Sequence, residues 1–142
     1  MKKLIIILSL LLSLSFSDTL LVPGEYSTIQ SAINASSYGD TVLVSAGTYY
    51  ENINFNGKNI AVIGEDRETT IIDGGQLGAV ITSTSNSNWQ IIESFTIQNG
   101  NYNNGSGGGI RADGIDSLLI NNMLITNNYA VHGGGIWAGT AL

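Results

Sequence analysis

The chain has 142 residues, 5 of them basic, 11 acidic and one a histidine, and it contains no cysteine. An acidic balance works against nucleic acid, and against anionic polysaccharide unless a cation such as calcium intervenes. The missing cysteines exclude disulfides and a cysteine-linked lipid anchor, and a lone His132 excludes a multi-histidine metal site within one chain.

In chain order, Lys2 and Lys3 precede an unbroken apolar run from Leu4 to Leu14, followed by Ser15-Phe16-Ser17. This is the pattern of a secretory signal peptide with small residues before the cleaved bond, so residues 1–17 are expected to leave and the mature chain to start at Asp18. The apolar run is well short of the roughly 20 residues that a membrane span needs. Export leaves Lys58, Arg67 and Arg111 facing all the acidic residues, and places the protein outside a bacterial cell or on its surface.

Ser27-Thr28-Ile29-Gln30 reads as a capping box in which Ser27 accepts from the backbone N–H of Gln30 and the Gln30 side chain reaches back. Ile29, Ala32 and Ile33 share one face of the helix this predicts over about 28–37, and Gly39 supplies its stop. A helix this short needs a partner for its apolar face. From Thr41 to Val44 the chain reads as a first buried strand, followed by short strands around Thr48–Glu51, Ile53–Phe55, Asn59–Gly64, Thr70–Asp73, Ala79–Ile81 and Gln90–Ile92. Each ends in Gly, Asn or Asp, residues that accept a left-handed corner conformation. Asn side chains repeated at one corner are expected to bond in ladders along the stack.

The next stretch supplies the period. Gly107-Gly108-Gly109-Ile110 returns as Gly133-Gly134-Gly135-Ile136 at a spacing of 26, and Phe95–Asn99 returns as Met123–Asn127 at a spacing of 28. The extra two residues fall in Asn101–Ser106, which is longer than Asn128–His132. Stacked repeats tolerate such insertions in turns, and the three-glycine runs read as corner geometry. A period in the twenties leaves no room for a crossover helix, so the strands must wind in parallel, each coil about 4.8 Å from the next. The expected fold is all-β: a parallel β-helix, right-handed by the crossover rule, of roughly four to five coils over about 41–142, with the helix as its N-terminal cap. The sequence stops at Ala141-Leu142, one corner after the second glycine run, with no capping segment, so the domain at 18–142 is expected to be the N-terminal part of a longer protein, the alternative being a complete chain that hides its open end by pairing.

Tyr26–Ile33, Gly39–Val44, Gly47–Asn52, Gly64-Glu65 and Thr70–Gly74, in that order, resemble the N-terminal portion of the pectin-lyase-like superfamily of right-handed β-helices. Asn127–Ile136 is similar to the repeats of polymorphic outer-membrane proteins, although the companion phrase stands here as Phe95-Thr96-Ile97-Gln98. The resemblance implies a β-helix; it does not carry an activity, because the superfamily holds polysaccharide lyases and hydrolases beside non-catalytic adhesins.

The clustered Asp phrases and Gly-His-Gly of polygalacturonases are missing, as is the Gln-Asp phrase of methylesterases. Lyase chemistry pairs an Arg or Lys base with Asp-bound calcium, and two places approach that pattern. Asp66 and Arg67 lie in the charged loop Glu65–Glu68, which also fits a solvated turn. Arg111, Asp113 and Asp116 surround one corner, with Arg111 and Asp113 on a common outward face if the strand alternates. Trp89 and Trp137 are candidates for stacking on sugar rings. The leading expectation is a secreted or surface scaffold for adhesion or glycan binding, with no evident cofactor, calcium being the possible ion. The alternative is a polysaccharide lyase or hydrolase whose catalytic residues lie in further coils.

Overall fold

The computed structural model describes residues 17–84 and 89–139. The chain winds as a parallel β-solenoid of about four turns with one short helix near its N-terminus. β1 (Thr19–Val22) and α1 (Ile29–Ala35) precede the first coil, which holds β2 (Thr41–Val44), β3 (Gly47–Tyr50) and β4 (Ile53–Asn54). The second coil contributes β5 (Ala61–Gly64), β6 (Thr70–Asp73) and β7 (Ile81–Thr84). β8 (Gln90–Glu93), β9 (Thr96–Gln98), β10 (Asn101–Ser106) and β11 (Ile110–Asp113) make the third. The fourth has β12 (Leu118–Asn121), β13 (Leu124–Thr126), β14 (Tyr129–His132) and β15 (Ile136–Gly139).

Equivalent strands stack into three long sheets: sheet A runs β1-β2-β5-β8-β12, sheet B β3-β6-β9-β13 and sheet C β4-β7-β11-β15, with β10 and β14 forming a separate pair. Because side chains alternate across a strand, in-register stacking turns each position into a column along the axis. Leu20, Val42, Val62, Ile92 and Ile120 make the inward column of sheet A. Tyr49, Ile72, Ile97 and Ile125 make that of sheet B, and Ile53, Ile81, Ile110 and Ile136 that of sheet C. Buried Phe55 and Phe95 fill the space between the sheets. A buried polar pair is enclosed as well: Ser83 Oγ donates to Gln90 Oε1, and Gln90 Nε2 donates to the Lys58 carbonyl at 3.0 Å, so the buried amide is satisfied.

The repeat spacing is visible strand by strand. Thr96 pairs with Leu124 and Ile110 with Ile136, while the surplus of the third coil sits in β10, whose register against β14 slips between Tyr102 and Ser106. The segment expected to be a turn is therefore a bulged strand. Its backbone finds a parallel neighbour, and the two extra residues are absorbed in the bulge.

Other expectations need correction. The helix is 29–35, not 28–37, and its N-cap is Thr28, whose side chain accepts from Ser31 N while Ser31 Oγ accepts from Thr28 N. Gln30 does not reach back; it spans to the first coil, where Asn54 N donates to its Oε1 at 2.7 Å and its Nε2 donates to the Asn54 carbonyl. The helix stops at Ser36, which is extended, before Gly39 is reached. Thr41–Val44 is not the first strand: β1 pairs with it in parallel, and Leu20 and Val22 are buried. Asn side chains do tie coil to coil, but mostly by gripping other groups: Asn121 holds Glu93, Asn122 holds Ser94 and Asn128 holds the Ile97 carbonyl and Gly100 N. The signal segment lies outside the described residues except for Ser17.

Candidate functional site

The inward Ile column of sheet C forces its neighbours outward. Asn54, Thr82, Arg111 and Trp137 stand in register as one outward column, and Thr84, Asp113 and Gly139 form the next. Arg111 and Asp113, two residues apart on β11, therefore share a face, and Arg111 Nη2 lies 3.2 Å from Asp113 Oδ2. Both side chains are about one-third exposed, so the pair is wetted and still able to offer hydrogen bonds outward.

The bulged β10 brings a fourth group that sequence reasoning missed. Tyr102 sets its hydroxyl 3.4 Å from Arg111 Nη1 and its ring centroid 5.6 Å from the guanidinium carbon. A cation at that distance from a ring is attracted to its face. Gly105 makes room for this, since a Cβ there would come within 2.5 Å of the Tyr102 ring. One signal was available: the coil that carries Arg111 is the one with the lengthened segment, and Tyr102 lies in it. Trp137, directly opposite Arg111 on the adjacent strand, lays its indole over Gly139, where a Cβ would overlap the ring.

The result is an outward face with the Tyr102 ring against a guanidinium–carboxylate pair and Trp137 on the adjacent strand in register with Arg111, and with a Thr and an Asn continuing the Arg111 column toward the first coil. Such a face offers stacking area and paired donors and acceptors. Asp113 is engaged by Arg111, and among the described residues no group of three or more His, Asp or Glu is placed to hold a metal ion.

The other sequence candidates are elsewhere. Asp66 and Arg67 occupy the exposed corner between sheets A and B. There Asp66 Oδ1 accepts from Glu68 N at 2.7 Å, the Asp66 carbonyl accepts from Thr70 N, and Arg67 pairs with adjacent Glu68. Those bonds build a turn. Trp89, by the start of β8, packs edge-on against Tyr38 with centroids 6.1 Å apart and takes its backbone anchor from Asn59 Oδ1. Asp116 is exposed in the corner after β11, at the rim of an apolar cleft of about 280 Å³ that also involves Leu118, Ile120 and Ile136. His132 ends β14, exposed, with its carbonyl accepting from Gly107 N.

The glycine runs divide by role. Gly107 and Gly133 hold φ of +77° and +60°, the left-handed conformation that turns the corner. Gly108 and Gly109 are flat against the next coil: a Cβ on Gly108 would meet the Gly134 carbonyl oxygen at 2.7 Å, and one on Gly109 would overlap that of Gly135. Gly134 and Gly135 meet nothing closer than 3.0 Å.

Asp73 on sheet B was not a candidate. Burial would push its carboxyl up, but donation from Gly75 N, Gln98 Nε2 and Asn99 Nδ2 outweighs this and holds it below the usual range. It ties the second coil to the third.

No family model matches the chain, and no curated protein or solved structure matches it.

Proposed function

We propose that this chain is an exported or surface-displayed β-helical scaffold, akin to the N-terminal part of pectin-lyase-like proteins, that binds glycan on the outward face of sheet C without catalysis. One observation carries the reading: Arg111, Asp113, Tyr102 and Trp137, drawn from three strands of two coils, converge on one face. Sugar rings present apolar C–H faces to aromatic planes and vicinal hydroxyls to paired donors and acceptors, which is what this face offers. Because Asp113 balances Arg111 and the whole chain is acidic, the fitting ligand is a neutral glycan.

Affinity electrophoresis in gels containing neutral polysaccharides tests it. Retardation should fall at least about tenfold in apparent affinity, roughly 1.4 kcal/mol, in Trp137→Ala and Arg111→Ala, and should persist in Trp89→Ala. Equal loss in all three, or no retardation by any neutral glycan, counts against the face. Calcium-dependent release of unsaturated product from polygalacturonate or alginate, abolished in Arg111→Ala, would replace the scaffold reading with a lyase.

A further inference from the structure

Asp40 is the aspartate whose environment the fold leaves unexplained. The residue is only 5 % exposed, at the corner that leads into β2. A carboxylate taken that far out of water needs several donors or a cation, and Asp73 has three donors. Among the described residues Asp40 makes no ion pair; its Oδ2 accepts from Ser37 N at 2.7 Å, and its Oδ1 accepts from Asp18 N at 2.9 Å. The groups facing it across a polar cleft of about 370 Å³ deepen the problem, because Asp18 and Glu25 bring further carboxylates and Tyr26 a phenol.

The donor on Oδ1 is the backbone nitrogen at which the signal-peptide pattern places the cut. Asp18 is also tied to the solenoid: its carbonyl accepts from Thr41 N at 2.9 Å, directly before β1 begins to pair with β2, and Ser17 Oγ donates to the Gly39 carbonyl at 2.6 Å. Ser17 and Asp18 are both exposed, so the bond between them is accessible.

We propose that processing supplies the missing counter-ion: a signal peptidase hydrolyses the Ser17–Asp18 bond, and the new α-ammonium docks on the Asp40 carboxylate. Water adds its hydroxyl to the Ser17 carbonyl carbon and a proton to the Asp18 nitrogen, the C–N bond breaks, and the released amine takes up a further proton at neutral pH. A bond of 2.9 Å from a neutral amide N–H to the carboxylate thereby becomes an ion pair at the same atoms. Maturation fastens the first strand of sheet A to the corner that starts β2. The inference rests on the export reading above.

The sign of its pH dependence follows. A free α-amine titrates at about 7.7–8.0; beside a carboxylate its value in the folded chain rises. The added stability is therefore complete below about pH 7.7 and is lost as pH climbs through the raised value.

The test begins with the intact mass of the exported protein, expected to start at Asp18. The mature chain is then melted across about pH 6 to 9.5 beside the same chain acetylated at Asp18, which keeps the N–H and every other titrating group but not the charge. The free-amine chain should melt a few degrees higher at the acid end and converge with the acetylated one at the alkaline end, and Asp40→Asn should erase the difference between them. Should Asp40→Asn fail to fold, the acetylation pair alone decides. A chain beginning at Asp18 whose two forms melt alike at every pH overturns this inference and leaves the export reading standing. A chain that is exported with its first 17 residues in place overturns this inference alone, and a chain that stays inside the cell sinks both.

Discussion

The two ends of the solenoid are built from the same repeating strands and have opposite fates. At the N-terminal end α1 lays Ile29, Ala32 and Ile33 on the first coil, and all three are fully buried. The first coil also closes the helix termini: Glu51 accepts from Ile29 N and Gln30 N at 2.9 Å each, and Lys58 Nζ donates to the Asn34 and Ser36 carbonyls at 2.7 Å each. The start and the end of α1 are thus both bonded to the first coil. On the fourth coil the columns run out: Ile120 and Ile125 are half-buried, and Ile136 is 44 % exposed where Ile110, one coil back in the same column, is at 0 %. A repeat does not own its burial; each coil receives it from the neighbour on either side.

The largest expected contrast follows from those two isoleucines. Ile110→Ala should cost about 2–5 kcal/mol because it opens a cavity between two coils, whereas Ile136→Ala should cost well under that, its side chain being partly in water already. Urea denaturation of both variants measures this, and equal losses would mean that the fourth coil is covered in solution. The glycines sharpen the same comparison at smaller scale. Gly109→Ala forces a Cβ into the Gly135 carbonyl and should destabilise by about 1–3 kcal/mol, while Gly135→Ala, with its nearest neighbour at 3.6 Å, should stay within about 0.5 kcal/mol. Thermal melts read both, and a severe Gly135→Ala would again point to a covered end. The last variant belongs to the closed end: Glu51→Ala removes both side-chain acceptors at the start of α1, for an expected loss of about 1–2 kcal/mol, the range of a deleted helix cap. Hydrogen exchange at Ile29 and Gln30 should accelerate in that variant; unchanged protection would show that the capping box of Thr28 and Ser31 is sufficient.

Much of this was readable in the residues. The paired phrases around Gly107 and Gly133 fix both period and register, because a strand's side-chain alternation and a coil's corner glycines recur wherever the backbone recurs. The same alternation is what put Arg111 and Asp113 on one face before any coordinates. Thr19–Val22 went unread because its Leu20-Leu21-Val22 run is apolar throughout and shows no alternation, and four residues beside a signal segment are a weak signal. Asn101–Ser106 went unread as a strand because Asn and Gly have low strand propensity, and only the neighbouring β14 gives its backbone a partner.

The sequence by itself determined the winding, the inward columns and the place of the cap, since each depends on periodicities a few residues long that act through the backbone. Tertiary structure alone decided which side chains meet across coils: that Glu51, and not Ser27 or Gln30, receives the helix N–H groups; that Tyr102 and Trp137 flank Arg111; and that Asp40 waits beside Asp18 N. Those contacts join residues 9 to 26 positions apart at corners whose insertions differ from coil to coil. No local spacing encodes them, and the stack must form before they exist.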